Sequence, residues 1–287
     1  MPVIHPLSYR LDQSPASEPS PLVLDSPHSG TSYPPDFACA VDFGVLRTAE
    51  DTWVDDLWGG AVDQGVPLVG ATFPRSYIDA NRSLEDVDPV LLDAPWPGPL
   101  SNSSKVRLGK GLIWRMLDDG TPLYGRKLSV SEVQHRIDAC WRPYHAAVGK
   151  LLEDTYAGLG KVWHINCHSM PSVAGAYATD KPGLVHPDFV LGDLDGTTAD
   201  PAFAAFVAAW LRERGYNVAI NDPYKGVELV RAHGNPAQGR HSLQIEINRK
   251  LYMDEVTLRP NAGYGKLKQD LNGLTAALLP WMRALLG

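Results

Sequence analysis

Three short apolar runs in this chain give way to residues that can do chemistry. Leu22 to Gly30 reads Leu-Val-Leu-Asp-Ser-Pro-His-Ser-Gly, Val162 to Ser172 reads Val-Trp-His-Ile-Asn-Cys-His-Ser-Met-Pro-Ser, and Ser242 to Arg249 reads Ser-Leu-Gln-Ile-Glu-Ile-Asn-Arg. Apolar runs of this length bounded by turn formers predict buried strands. Pro27 with Ser29-Gly30 closes the first, leaving His28 at its end. The second breaks at His168, Ser169 and Pro171. Between them, Leu46, Ala49, Trp53, Leu57 and Ala61 recur at three- and four-residue steps and predict a helix over Phe43 to Gly65. Pro67 to Thr72 predicts the next strand, and the resulting strand–helix–strand unit favours a parallel pair.

The strongest helical pattern runs from Ser129 to Leu159. Ser129 and Glu132 have capping-box spacing, Val133, Ile137, Cys140, Tyr144, Val148, Leu151 and Leu152 form the stripe, Pro143 predicts a kink, and Gly158 and Gly160 a stop. Asp200-Pro201 opens a further helix to Arg214, Tyr216 to Ile220 predicts a strand, and a helix from about Arg259 to Leu286 closes the chain. Residues 1–20 read as an edge strand or extended arm. Residues 84–127 read as a long loop-rich excursion outside the core, a length more often functional than idle. Residues 175–200 and 221–239 read as connections. With no repeat or linker, the expectation is a single α/β domain over 1–287, its central mixed and mostly parallel sheet flanked by helices.

Composition narrows the class. A net charge of −7 gives no basic footprint for nucleic acid. The N-terminus lacks the pattern of a secretory signal, and no run has the ~18 apolar residues of a membrane span. Three widely spaced cysteines, Cys39, Cys140 and Cys167, argue against a disulfide framework and for a reduced, cytoplasmic setting. The expected partner is a small molecule, not nucleic acid or membrane; oligomeric state is open.

The chemistry concentrates at the strand ends. Two imidazoles, His28 and His168, with one carboxylate and an open position make a common catalytic zinc set, and Glu50 or Asp51 could supply the carboxylate. The alternative is that each histidine is an ordinary hydrogen-bonded group. Glu246 is flanked by apolar residues; it is either part of a strand's polar face with Gln244 and Asn248 or a buried carboxylate suited to act as general base. Arg75 and Arg82 either pair with acidic side chains or hold substrate carboxylates by bidentate contacts. Lys225 is either a further candidate for substrate binding or simply a solvated lysine. His164 shares a face with Asn166 and His168 and could support a ligand. Cys167 points away from His168, against a Cys-His nucleophile. No Gly-x-Ser-x-Gly elbow or Gly-rich phosphate loop is present.

Taken in order, Asp25-Ser-Pro-His-Ser-Gly30, Glu50-Asp-Thr-Trp-Val-Asp55, Pro74-Arg-Ser-Tyr-Ile-Asp-Ala-Asn-Arg82, Cys167-His-Ser169, the Asn-Asp-Pro-Tyr-Lys-Gly-Val stretch from Asn221, and Gln244-Ile-Glu-Ile-Asn-Arg249 resemble the N-formylglutamate amidohydrolase (deformylase) family. The resemblance spans about residues 22 to 255. It implies a zinc-carboxypeptidase-like (phosphorylase/hydrolase-like) α/β fold and hydrolysis of N-formyl-L-glutamate to L-glutamate and formate, in histidine degradation. It also implies zinc, or another divalent ion, on His28, His168 and an acidic residue of the Glu50-Asp51 pair. Carboxypeptidases carry a carboxylate three residues after their first histidine; Thr31 stands there in this chain, and Asp51 is preferred over Glu50 as the third ligand. Glu246 is then the general base, and Arg75, Arg82 and Lys225 face the carboxylates of the substrate. The competing readings are a deacylase of another N-acyl amino acid or small amide, a non-catalytic binder of acidic metabolites, and a structural protein whose histidines are core polar groups.

Overall fold

The computed structural model describes residues 2–14, 18–177 and 182–286. Its frame is a mixed sheet with eight strands among those residues: β1 (Val3–His5), β2 (Tyr9–Asp12), β3 (Leu22–Ser26), β4 (Leu68–Ala71), β5 (Val162–Met170), β6 (Phe189–Gly192), β7 (Val218–Ile220) and β8 (Arg240–Asn248). Their order is β1-β2-β4-β3-β5-β8-β6-β7. The central four, β4-β3-β5-β8, are parallel, as expected of strands joined by helical crossovers. At one edge the N-terminal residues form a β1–β2 hairpin antiparallel to β4. At the other, β6 runs antiparallel to β8 and β7 parallel to β6.

Strand alternation divides the sheet into two chemically different faces. Leu22 and Leu24 of β3, Trp163, Ile165 and Cys167 of β5, and Leu243, Ile245 and Ile247 of β8 share one apolar layer. That layer is covered by α2 (Val54–Trp58), α6 (Pro201–Arg212) and α8 (Tyr264–Ala284). The intervening residues, Asp25, His164, Asn166, His168, Ser242, Gln244, Glu246 and Asn248, are polar and buried. Such a stripe needs partners inside the protein, because an unsatisfied buried polar group costs about 1–3 kcal/mol. On this side the apolar packing comes from α4 (Val130–Arg136), α5 (Arg142–Leu159) and Leu229 of α7 (Glu228–His233).

Several elements depart from the sequence expectation. The helix over Phe43 to Gly65 is broken into α1 (Phe43–Leu46), a 3₁₀ turn, an extended step at Glu50, and α2, with Trp53 in the left-handed region at φ 70°. The backbone there is engaged elsewhere: Asp51 N–H donates to the His28 carbonyl (3.0 Å), and Arg249 Nη2 donates to the Glu50 carbonyl (2.7 Å). Residues 84–127 are irregular apart from a 3₁₀ turn and α3 (Ser104–Arg107), yet they are core. Leu112, Ile113, Leu117 and Leu123 are buried against the polar-stripe side, each worth roughly 1.5–3 kcal/mol. β6 lies inside the connection expected over 175–200, and α7 inside that over 221–239. The Ser129 capping box forms; a π turn (Ile137–Trp141) ends two residues before Pro143, and Gly158 lies within α5 while Gly160 caps it. The last helix begins at Tyr264, since residues before it are tied back by Asn261 N–H to the Tyr252 carbonyl (2.9 Å).

Candidate active site

β3 has β4 on one side and β5 on the other. The strand order therefore switches direction at β3–β5, where crevices open at the carboxyl ends of parallel strands. His28 follows β3 and His168 lies near the end of β5, so topology brings them to this crevice. The turn after β3 is tightly held: Ser29 Oγ donates to the Asp51 carbonyl (3.1 Å), and Gly30 sits so close to Phe73 that an added Cβ would lie 2.2 Å from its carbonyl oxygen. The break before α2 then delivers Asp51 between the two histidines.

His28, Asp51 and His168 are almost fully buried, and one potential ligand atom from each lies within 4.8 Å of the others. Asp51 Oδ2 is 3.3 Å from His28 Nδ1 and 3.0 Å from His168 Nδ1. The opposite nitrogens are held from behind. His28 Nε2 is 2.7 Å from Asp79 Oδ1, and His168 Nε2 is 2.8 Å from Asn166 Oδ1 and 2.9 Å from Asn81 Nδ2. A tautomer that donates from Nε2 to Asp79 or Asn166 turns the Nδ1 lone pair toward Asp51. Two imidazole lone pairs and a carboxylate oxygen then converge, a donor set that fits a divalent cation; an acceptor behind a ligating imidazole is the usual support for it.

The electrostatics keep the carboxylates ionised. With no cation bound and the Nδ1 hydrogens turned to Asp51 instead, burial pushes its carboxyl up, but hydrogen bonds from His168 and His28 and the charge of Arg75 hold it well below the ordinary carboxylate range. Asp79 is likewise raised by burial and brought well down by Arg82, His28 and Arg75. Arg249 closes the ring, donating from Nη2 to Asp51 Oδ1 at 3.0 Å. Glu246 behaves differently: burial and the nearby Asp51 charge raise its carboxyl above the ordinary range despite His168, Arg75 and Lys105. Its partner is Gln244, whose Nε2 donates to Oε1 at 2.8 Å.

His28, His168 and Glu246 open onto one cavity of about 620 Å³. Arg75 lines it while bonded to Asp51 Oδ1 (3.4 Å) and Asp79 Oδ2 (3.1 Å), its guanidinium 4.8 Å over Trp114. Arg82 also lines it, but Nε donates to the Lys110 carbonyl (3.0 Å) and Nη1 to the Asn81 carbonyl (2.9 Å), so much of its capacity serves the protein. Lys225 is a lining residue with an exposed ammonium paired to Asp195 at 2.8 Å. Glu50 is not with this group; its carboxylate meets Tyr33 (2.6 Å) and Arg47 (3.1 Å). His164 is one step removed, bonded to Asp25 (2.9 Å) and Ser242 (2.8 Å), while Asp25 accepts from Asn166 (2.8 Å). Reading the sequence missed Asp79, Asn81, Asn166 and Arg249 as site residues. All four lie inside the quoted segments, and polar residues at every second position of β5 and β8 were the available signal.

Fold and site together define the class: an α/β protein with a buried His-Asp-His group fit for a metal ion, set at the switch of its sheet beside a carboxylate and a cationic cleft. The chain belongs to the N-formylglutamate amidohydrolase family, whose sequence model matches residues 20–253. It is similar to an N-formylglutamate deformylase of Pseudomonas aeruginosa, 30% identical over 246 residues, covering 82% of this chain and 83% of the relative. One from Pseudomonas putida is 29% identical over 273 residues, covering 91% and 93%. The crystal structure of an N-formylglutamate amidohydrolase from Ralstonia eutropha JMP134 superposes with a TM-score of 0.92 at 50% identity, covering 97% of this chain and 99% of that one. No helix among the described residues is long and apolar enough to cross a membrane.

Proposed function

We propose that this protein hydrolyses N-formyl-L-glutamate to L-glutamate and formate, with zinc or another divalent ion held by His28, Asp51 and His168. The observation that carries the reading is the convergence of His28 and His168, with Asp51 buried between them, and Glu246 on one cavity. The names of the similar proteins from two Pseudomonas species and Ralstonia supply the substrate.

A divalent ion bound there would act as a Lewis acid on the formyl carbonyl and make water a better nucleophile at neutral pH. Glu246 is the proton carrier. Its raised pKa suits it to take a proton from the attacking water and return it to the glutamate nitrogen as the carbon–nitrogen bond breaks. Arg75 and Arg249 stand against Asp51 and face the charge that develops on the formyl oxygen or the nearby α-carboxylate. Arg82 and Lys225 make the cleft favourable for a doubly negative substrate. We place the reaction in histidine degradation and in the cytoplasm, consistent with three unpaired cysteines.

The test is release of glutamate and formate from N-formyl-L-glutamate by purified protein, with chelator and with added zinc. Chelator-sensitive turnover restored by the ion supports the reading. No turnover in metal-loaded protein overturns the substrate, and turnover of other N-acyl amino acids instead would favour a different deacylase.

A further inference from the structure

His168 meets two amide side chains at the same ring nitrogen, and they make opposite demands on it. Nε2 lies 2.8 Å from Asn166 Oδ1 and 2.9 Å from Asn81 Nδ2. An amide oxygen only accepts and an amide NH₂ only donates, so one hydrogen position on the ring does not satisfy both. Neither amide can turn over to remove the conflict, because each is fixed at its far end. Asn81 Oδ1 accepts the backbone N–H of Leu229 at 2.9 Å, and a backbone N–H has no other role. Asn166 Nδ2 donates to Asp25 Oδ1 at 2.8 Å, and a carboxylate only accepts. His168, Asn81, Asn166 and Asp25 are all almost fully buried.

The two demands belong to two states of the ring. With no cation bound, a hydrogen on Nδ1 meets Asp51 Oδ2 at 3.0 Å, and the Nε2 lone pair accepts from Asn81. With a cation on Nδ1, the hydrogen sits on Nε2, where Asn166 Oδ1 accepts it. Asn81 then faces a donor, and its own hydrogens turn to Asn166 Oδ1 and Gln244 Oε1, each at 3.3 Å. An amide oxygen has two lone pairs, so Asn166 can accept from both neighbours. His28 carries no such conflict: its Nε2 faces Asp79 Oδ1 at 2.7 Å, an acceptor in either state.

Resting on the metal site proposed above, we infer that Asn81 and Asn166 are positioning residues of opposite sign. Asn81 holds His168 in its metal-free tautomer, and Asn166, backed by Asp25, holds it in the metal-bound one. On loading, one proton leaves Nδ1 to water and one arrives at Nε2, so the neutral ring stays neutral. The partner behind a ligating imidazole corresponds to about 10- to 100-fold in metal affinity. The single neutral hydrogen bond given up by Asn81 corresponds to about 2- to 10-fold in the other direction.

The experiment has two arms. In the first, two-bond ¹H–¹⁵N spectra of the histidine rings are recorded on the wild type at pH 8, metal-free and zinc-loaded, with the His168 ring identified by its loss in His168→Gln. Metal-free protein should show a proton on His168 Nδ1 and none on Nε2, and zinc-loaded protein a proton on Nε2. His28 should carry its Nε2 proton in both. A proton on His168 Nε2 in both states overturns the inference, and this arm decides it even where a variant fails to fold. In the second arm, zinc affinity is measured by competition with a chelating dye. Asn166→Leu should weaken it about 10- to 100-fold. Asn81→Leu should tighten it about 2- to 10-fold, although it also strips the Leu229 N–H of its acceptor. Loosening of the site alone would weaken binding in both variants, and that result overturns the opposed roles. A wild type that binds no divalent ion overturns the metal site together with the inference; one that binds zinc without the change of tautomer overturns the inference alone.

Discussion

His168 and Glu246 stand opposite one another in register on the parallel strands β5 and β8, and Asn166 and Gln244 stand opposite one another two residues earlier. The candidate ligand, the candidate base and the two amides bonded to them are thus set by the same central ladder. Nine consecutive register pairs join the two strands. Groups placed on strands at the middle of a sheet keep their separation better than groups on loops. If Glu246 is the base, the backbone hydrogen bonding of this ladder is what would hold its aim.

Glu246→Gln should keep the Gln244 contact, because Gln244 Nε2 can still donate to an amide oxygen in place of Oε1. What it removes is a site for the proton. We expect kcat to fall by about 10²- to 10⁴-fold, with bound zinc and thermal stability near those of the wild type. Wild-type turnover in this variant would remove Glu246 from the chemistry.

Asp51 is both a candidate ligand and the counter-charge for Arg75 and Arg249. Asp51→Ala should therefore do two separable things. Zinc content after dialysis should fall to background. The metal-free variant should also be less stable than metal-free wild type by about 3–5 kcal/mol in denaturant unfolding, the usual consequence of leaving a buried charge without its partner. Glu50→Gln, away from the ligand group, should retain zinc.

Asp25 gives a pH signature of stability. Burial raises its carboxyl, but the hydrogen bond and charge of His164 and the hydrogen bonds of Asn166 and Tyr144 bring it below the ordinary value of 3.8. A group depressed in the folded state binds protons more readily when unfolded. Its contribution is therefore fully present above pH 3.8 and is lost as pH falls through the lower folded value. Asp25→Asn should unfold at neutral pH with less denaturant than wild type, and the gap should narrow as the pH is lowered below 4. A gap that widens on acidification would contradict the assignment.

Much of this arrangement was legible because alternation is a strong code when both faces of a strand are buried. In β8, Leu243, Ile245 and Ile247 alternate with Gln244, Glu246 and Asn248, and the sheet sets the polar half on the side of the candidate site. The Phe43–Gly65 segment was less legible. Its apolar spacing satisfies a helix, and what breaks it is long-range: the His28 carbonyl, Ser29 and Arg249 capture the backbone at Glu50 and Asp51. The same capture decides which acid meets the histidines, so the choice between Glu50 and Asp51 could not be read locally. The excursion misled for the opposite reason. Its prolines and glycines suppress regular structure without preventing Leu112 or Leu123 from being fully buried.

The turn after β3 supplies the last prediction. A methyl group added at Gly30 meets backbone on the other side, 2.2 Å from the Phe73 carbonyl oxygen and 2.6 Å from the Thr72 carbonyl carbon. Neither atom can swing away as a side-chain end would. Either the turn or the chain after β4 must shift, and overpacking of this kind costs about 1–3 kcal/mol. The turn carries His28 and, through the hydroxyl of Ser29, the Asp51 carbonyl, so the shift reaches two of the three candidate ligands. Gly30→Ala should lower both the unfolding midpoint and the affinity for zinc, measured by competition with a chelating dye. Gly44→Ala is the matched control. Gly44 lies in α1 with nothing within 4 Å of an added Cβ, and there alanine should be neutral or stabilising by up to about 1 kcal/mol. Equal, small effects at both positions would mean that the turn is not held by the Phe73 backbone as described.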